Sequence, residues 1–397
     1  MKTIRPEDLE TWASYLLNHS LGGIGAEDRV MLKAEPIAWP LVEVLERKII
    51  EAGGIPDVYL FAPNNDRGRV WSAAMAKLGT AEQLSRIPDW HLARYESMTK
   101  YIEILGFSDS SAFTGVPPAQ AQAALAADRP FSTIRLSKPW VLTLYPTQAG
   151  AQAEGMSFET YTDFIVRAST TDPSPLRVAE EALAPLFERG KQIRIESEHP
   201  VERRPLSLSM DISQSIPTLS YGLRNFPDGE IFTSPNANSV EGEIFVDLPV
   251  SYGGHELQGI YLRFEGGRIV SYDALQGREH LATIIETDEG SHRLGEVALG
   301  MNPGLEKVLK NPLFVEKVGG TLHIAIGASY EGCYVAEPGS EEGKAKLEAL
   351  RASGVLNQSA QHVDIVCDFR PGGAGRRVFI DEQELVVCDK LWCLPHD

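Results

Sequence analysis

The sequence predicts an α/β fold of two domains: an open α/β domain with a mostly parallel sheet over residues 1–200, then a β-rich α+β domain over 201–397. Three observations predict it. Strand-like apolar runs alternate with helical spacings through the first half, whereas short β-rich runs punctuated by Gly-Gly dominate the second. The length of 397 residues suits two domains.

The elements follow in order. Residues 7–19 place Leu9, Trp12, Ala13, Leu16 and Leu17 at helical spacing. Arg29–Ala34 (RVMLKA) predicts a strand, 38–52 a helix stopped by Gly53-Gly54, and Asp57–Ala62 (DVYLFA) a second strand. Strand, helix and strand so close together form a βαβ unit, which implies a parallel sheet. Tyr101–Leu105, a helix near 117–127 and Trp140–Tyr145 repeat the theme. Helices near 158–168 and 176–189 and a strand at Gln192–Glu196 complete the first half. Beyond it the strand-like runs are Leu206–Ile212, Gly242–Val250, Leu257–Glu265 and Arg268–Asp273, with a helix at 276–286. Glu296–Leu299, Thr321–Gly327, Gln361–Cys367 and a terminal hairpin near 377–388 follow. Residues 331–358 are polar and predict a loop carrying one short helix.

Composition excludes several classes. A formal net charge of −18 argues against nucleic acid or an anionic membrane as partner, since both need a basic patch. The excess is concentrated late, with 20 basic against 26 acidic residues before position 201 and 17 against 29 after it. Such carboxylates keep a protein soluble and are also hard oxygen ligands for divalent cations. No apolar run reaches membrane-spanning length and the first residues carry no secretory core, which predicts a cytoplasmic protein. The 4 cysteines, Cys333, Cys367, Cys388 and Cys393, include no C-x2-C pair, so reduced thiols are expected. No GxSxG elbow, HExxH helix or complete P-loop occurs.

Chemistry-bearing residues gather in the second half. They are Glu230 in NFPDGEIFTSP, Glu296 in ETDEGSHRLGEVAL, His323 in TLHIAIG, Tyr330 seven residues later, and His362 and Asp364 in an apolar run. Residues two apart on a strand share a face, so His362 projects with Asp364, and His323 projects with Thr321 and Ala325. Taken singly, each has an ordinary structural reading, as a core histidine or a turn carboxylate. Together, two imidazoles and three carboxylates match the donor set for a pair of zinc- or cobalt-like ions. Tyr330 is then placed as a hydrogen-bond donor to a developing oxyanion.

These segments resemble the signature of the aminopeptidase T / aminopeptidase S family of dinuclear metallo-aminopeptidases. NFPDGEIFTSP is similar to its N-x-P-x-G-E-[IV]-F-T-x-P stretch, and ETDEGSHRLGEV to its E-T-D-x-G…L-G-E-V stretch. TLHIAIGASY and NQSAQHVDIVCD resemble its histidine and H-x-D strands. In the first half, KPWVLTLYPTQAGAQAEGMSFETYTDFIVRA and RVMLKAEPIAWPLVEVLERKIIEAGGIP also resemble family segments, so the likeness spans most of the chain. It implies that Glu230, Glu296, His323, His362 and Asp364 are metal ligands, with Glu296 touching both ions or the activated water, and that Tyr330 is the active-site tyrosine. It further implies two zinc or cobalt ions per chain, short peptide substrates, a homodimer, and a catalytic second domain with the first restricting access.

Two stretches depart from the pattern. ALGMNPGLEKVLKNPLF follows LGEV where many members carry a V-P-H-D-S-P-like loop, and residues 331–358 are elaborated. Both are expected to border the substrate pocket, so side-chain specificity does not transfer. Some proteins of this fold resemble dihydroxypyridine ring-cleaving dioxygenases. An alternative function is therefore a mononuclear non-haem iron dioxygenase using His323, His362 and Asp364. A metal-stabilised protein without catalysis is the third reading.

Overall fold

The computed structural model describes residues 4–62, 70–106, 115–252, 255–370 and 375–395. The chain divides into two compact units, Met1–Thr171 with Gly222–Pro227, and Asp172–Tyr221 with Asp228–Asp397.

The first unit is built on a five-stranded parallel sheet in the order Ile55–Leu60, Arg29–Ala34, Lys100–Leu105, Trp140–Leu144, Asn225–Phe226. The helix Trp39–Glu51 buries Leu41, Val42, Leu45 and Ile49, a stripe at helical spacing, as the apolar pattern predicts. At roughly 1.5–3 kcal/mol per fully buried aliphatic side chain, that stripe is a main attachment of the helix. Trp12 is fully buried and donates its indole N–H to Thr143 Oγ1 at 3.1 Å, so the first helix is fixed by a satisfied polar contact as well as by packing. The short helices Ala73–Leu78, Ala81–Ser85 and Asp89–Ser97 had no clear period in the sequence.

The second unit holds two sheets. One has nine strands, running Val250–Tyr252, His255–Glu265, Glu241–Val246, Pro205–Asp211, Gln192–Glu198, Arg377–Ile380, Gln383–Cys388, Leu391–Cys393, with Arg268–Gln276 paired to His255–Glu265. The other is a five-stranded antiparallel sheet in the order His362–Asp368, Thr321–Gly327, Leu294–Gly300, Glu230–Thr233, Thr218–Ser220. A single apolar core joins them: Ile193, Ile195, Leu208 and Ile244 from the large sheet meet Val297, Leu322, Ile324 and Ile365 from the small one. One face of the small sheet is therefore committed to the core, and its other face is left for chemistry.

The boundary expected near residue 200 lies inside this second unit. The helix Ser174–Arg189 sends Leu176, Leu183 and Phe187 into the two-sheet core, and Gln192–Glu198 pairs antiparallel with Pro205–Asp211. Both continue the first half's alternation of helix and strand, so the sequence pattern alone places them there. Cys388 and Cys393 lie on the two strands of the terminal hairpin, diagonally, with Cys388 opposite Leu391 and Cys393 opposite Val386, and are joined as a disulfide where reduced thiols were expected; Cys333 and Cys367 are free and buried. No helix among the described residues is long and apolar enough to cross a membrane.

Candidate metal centre

Strand register assembles the site. Glu296 pairs with Ala325, and Ala325 with Asp364, so the small Ala325 side chain separates two carboxylates in one row across three strands. His323 stands one inward step along the same face, Gly327 pairs with His362, and Glu230 pairs with Gly300. Glu296 would not reach this face on a regular strand. Leu294 pairs with Ile326 in the core, and residues two apart share a face, so Glu296 would follow it inward. A register shift between Leu294 and Glu296 inserts the extra residue Gly295 and turns the carboxylate to the other side.

All six predicted residues come together. Glu296 Oε1 lies 3.1 Å from His323 Nε2, and its Oε2 lies 3.7 Å from His362 Nε2. Glu230 Oε2 is 3.4 Å from His323 Nε2, and Asp364 Oδ1 is 3.5 Å from His362 Nε2. Ligand atoms of Glu230, Glu296 and His323 all lie within 4.8 Å of one another, as do those of Glu296, His362 and Asp364. Glu296 is thus common to two potential ligand groups. His362 Nδ1–H donates to the Ala328 carbonyl at 2.8 Å, which fixes the tautomer and leaves Nε2 free to ligate. The Tyr330 ring stands 4.7 Å from the His362 ring, centre to centre, and its backbone N–H donates to Ser234 Oγ at 3.0 Å.

Among the described residues, Asp288 of the ETDEG stretch belongs to no potential ligand group. Asp288 instead accepts hydrogen bonds from Ser291, Ser359 and Ala360. Conversely, the structure adds residues that sequence reasoning missed. Glu316 forms a third group with His323 and Asp364, again within 4.8 Å. Lys317, 1% exposed, reaches Glu230 Oε1 at 3.3 Å, Asp228 Oδ1 at 3.6 Å and the Glu316 carboxylate. Glu180, fully buried on the helix Ser174–Arg189, is also close enough to sense Asp228 and Glu230. The segment 331–358 is more than a loop, since Cys333, Tyr334, Leu347, Leu350 and Leu356 form a small core of their own against Phe232.

Electrostatics mark this as a cation site. Burial disfavours a charged His323, yet Glu296 and Glu230 outweigh it and hold its pKa up at about 9. His362 is likewise raised, to about 10, because Asp364 and Glu296 overcome its desolvation. Burial pushes Glu316 up to about 8, and burial with the Asp228 and Glu230 charges pushes Glu180 up to about 10. Burial opposes the Lys317 charge too, but Glu230 and Glu316 raise its pKa and keep it an ammonium. Glu230 Oε2, Glu296 Oε2, His323 Nδ1 and Asp364 Oδ1 are buried without a hydrogen-bond partner. Each such atom costs roughly 1–3 kcal/mol, a penalty that coordination of a divalent cation removes for the carboxylate oxygens. The imidazole and carboxylate donors fit zinc-like ions.

Comparison with known proteins agrees with this chemistry. The chain is 38% identical over 148 residues to aminopeptidase AmpS of Bacillus subtilis (strain 168), covering 36% of this chain and 34% of that protein. It is 40% identical over 146 residues to aminopeptidase T of Thermus thermophilus, covering 35% and 33%. These matches thus span about a third of the curated relatives' length. The structure of wild-type AmpT from Thermus thermophilus aligns over 98% of both chains with a TM-score of 0.72 at 24% identity, a likeness of fold. A 2,5-dihydroxypyridine dioxygenase from Pseudomonas putida KT2440 aligns over the same 98% with a lower TM-score of 0.58 at 14% identity. The sequence pattern of the thermophilic metalloprotease (M29) family matches residues 5–193 and 207–371, and with most of its length so matched the chain belongs to that family.

Proposed function

We propose that this protein is a metal-dependent aminopeptidase that releases the N-terminal residue of short peptides by hydrolysis at a dinuclear centre. One observation carries the reading: the two oxygens of Glu296 face different histidines, His323 and His362, so one carboxylate is shared between two ligand groups. Glu230, Glu296 and His323 would hold one ion, and Glu296, His362 and Asp364 the other. Divalent ions bound there supply Lewis acidity, polarising a carbonyl and lowering the pKa of a bound water toward about 7.

The protein's own groups do the rest. The Ala328 carbonyl keeps the His362 proton on Nδ1. Desolvation and the Glu296 and Asp364 charges raise the Tyr330 pKa, so its hydroxyl stays a proton donor. Beside His362 it can donate a hydrogen bond to the substrate carbonyl oxygen as that atom gains negative charge. Zinc or cobalt as the ions and a homodimeric assembly rest on the family resemblance, and a cytoplasmic location on the sequence reading; these complete the proposal.

The dioxygenase reading requires His323, His362 and Asp364 around one iron. Among the described residues, no potential ligand group contains both histidines. The test is metal content of the purified protein, followed by aminoacyl-amide hydrolysis after reconstitution with zinc, cobalt or iron. Two ions per chain with peptidase turnover support the proposal. One iron per chain with oxygen uptake would overturn it.

A further inference from the structure

We infer that Lys317 is a positioning residue of this centre, a fixed cation that engages one oxygen each of Glu230 and Glu316 and thereby presents their other oxygens to the ions. The inference rests on the dinuclear reading above.

The geometry is specific. Lysine is almost never fully buried unless paired, yet Lys317 is 1% exposed. It is held by its backbone, with its N–H donating to the Phe314 carbonyl at 3.1 Å and its carbonyl accepting from the Asn302 N–H at 2.9 Å. From there its Nζ meets Glu230 Oε1 at 3.3 Å, leaving Oε2, without a hydrogen-bond partner, 3.4 Å from His323 Nε2. The same ammonium engages Glu316 Oε1, and Glu316 belongs to the ligand group of His323 and Asp364. One side chain therefore orients carboxylates from two groups that meet at His323. Charge gives the same answer. Lys317 sets one ammonium against the carboxyl groups of Asp228, Glu230 and Glu316 at this buried position.

The experiment is titration of the metal-free full-length protein with Co2+, read by visible absorption and calorimetry, for wild type, Lys317→Met and Lys317→Met/Asp228→Asn. Wild type should take up two ions. Lys317→Met should keep the ion of Glu296, His362 and Asp364 but bind the ion of Glu230 and His323 at least about tenfold more weakly, the scale of lost outer-shell support. Coulomb's law alone predicts the opposite sign, because removing a positive charge strengthens cation binding. The double variant restores charge balance without restoring the contact, so its affinity should stay lowered. It also carries the test if loss of the ammonium beside three carboxylates unfolds the single variant, which circular dichroism reports. Unchanged or tighter binding in Lys317→Met, or wild-type binding in the double variant, overturns the inference alone. Wild type that binds no Co2+ overturns the dinuclear reading and the inference together.

Discussion

Asp288 Oδ2 accepts the backbone N–H of Ala360 at 2.7 Å, two residues ahead of His362. Its Oδ1 accepts from Ser359 Oγ and from the Ser291 N–H, both at 2.8 Å. One carboxylate therefore ties the turn before the Glu296 strand to the entry of the His362 strand. The same two segments touch at Gly290, where a Cβ would lie 1.9 Å from the Gln358 carbonyl oxygen. Asp288 of the ETDEG stretch thus serves as scaffold for the site, and among the described residues none of that stretch's acids falls in a potential ligand group.

This contact makes stability pH-dependent. Desolvation opposes the Asp288 charge, but hydrogen bonds from Ala360, Ser359 and Ser291 outweigh it and hold the pKa down at about 2. A depressed folded-state pKa contributes stability that is present above the unfolded value, roughly 3.9, and lost as pH falls through about 2. Asp288→Asn, which mimics the protonated acid, should cost about 1 kcal/mol at pH 7 after solvent screening. Urea unfolding across a pH series should show the gap to wild type closing between about pH 4 and pH 2. A gap independent of pH would contradict the role given to the charge.

Metal uptake should release protons. In the metal-free chain His323 and His362 hold theirs up to about pH 9 and about pH 10, because their carboxylate neighbours favour the imidazolium. Ligation requires neutral imidazoles, so two protons leave as two ions bind at pH 7. Overall affinity should then rise by about a hundredfold per pH unit below pH 9. Calorimetry in buffers of different ionisation enthalpy counts these protons, and a count of zero would show that the histidines are not ligands.

Two substitutions separate ion holding from oxyanion stabilisation. Glu296→Gln keeps the size of the side chain and should abolish turnover and lower metal content while the protein stays folded. Tyr330→Phe should keep both ions and the KM but lower kcat by roughly a hundred- to a thousandfold. Steady-state kinetics on an aminoacyl amide, with metal analysis of the same samples, reads both. Wild-type rates in Glu296→Gln would remove it from the mechanism.

Most of the site was legible because strands impose a period of two. Leu322, Ile324 and Ile326 are core residues, so His323 had to face the other way, and His362 and Asp364 had to share a face. Glu316 and Lys317 were not legible. They follow the short helix Pro312–Val315 in a stretch without periodicity, and only tertiary packing brings them under His323. Glu230, whose ordinary reading is a turn carboxylate, takes the first position of the strand Glu230–Thr233. The domain boundary was missed for a related reason: Ser174–Arg189 continues the local alternation of the first half while its apolar stripe fits the core of the second.

The sharpest test of the assembly is Gly295→Ala. A Cβ at Gly295 would lie 2.0 Å from the Ala328 carbonyl oxygen, and that carbonyl also holds His362 Nδ1–H at 2.8 Å. Backbone cannot yield as a flexible side-chain end does, so the strand must either move away or lose the extra residue that turns Glu296 outward. Either response separates Glu296 from His323 or His362 without altering a ligand. The variant should lose roughly 2–4 kcal/mol of stability, as expected of a backbone conflict in a buried strand. Its remaining folded fraction should bind fewer than two ions and have little activity. Gly295→Ala protein with wild-type melting temperature and two tightly held ions would mean that the bulge does not set the direction of Glu296.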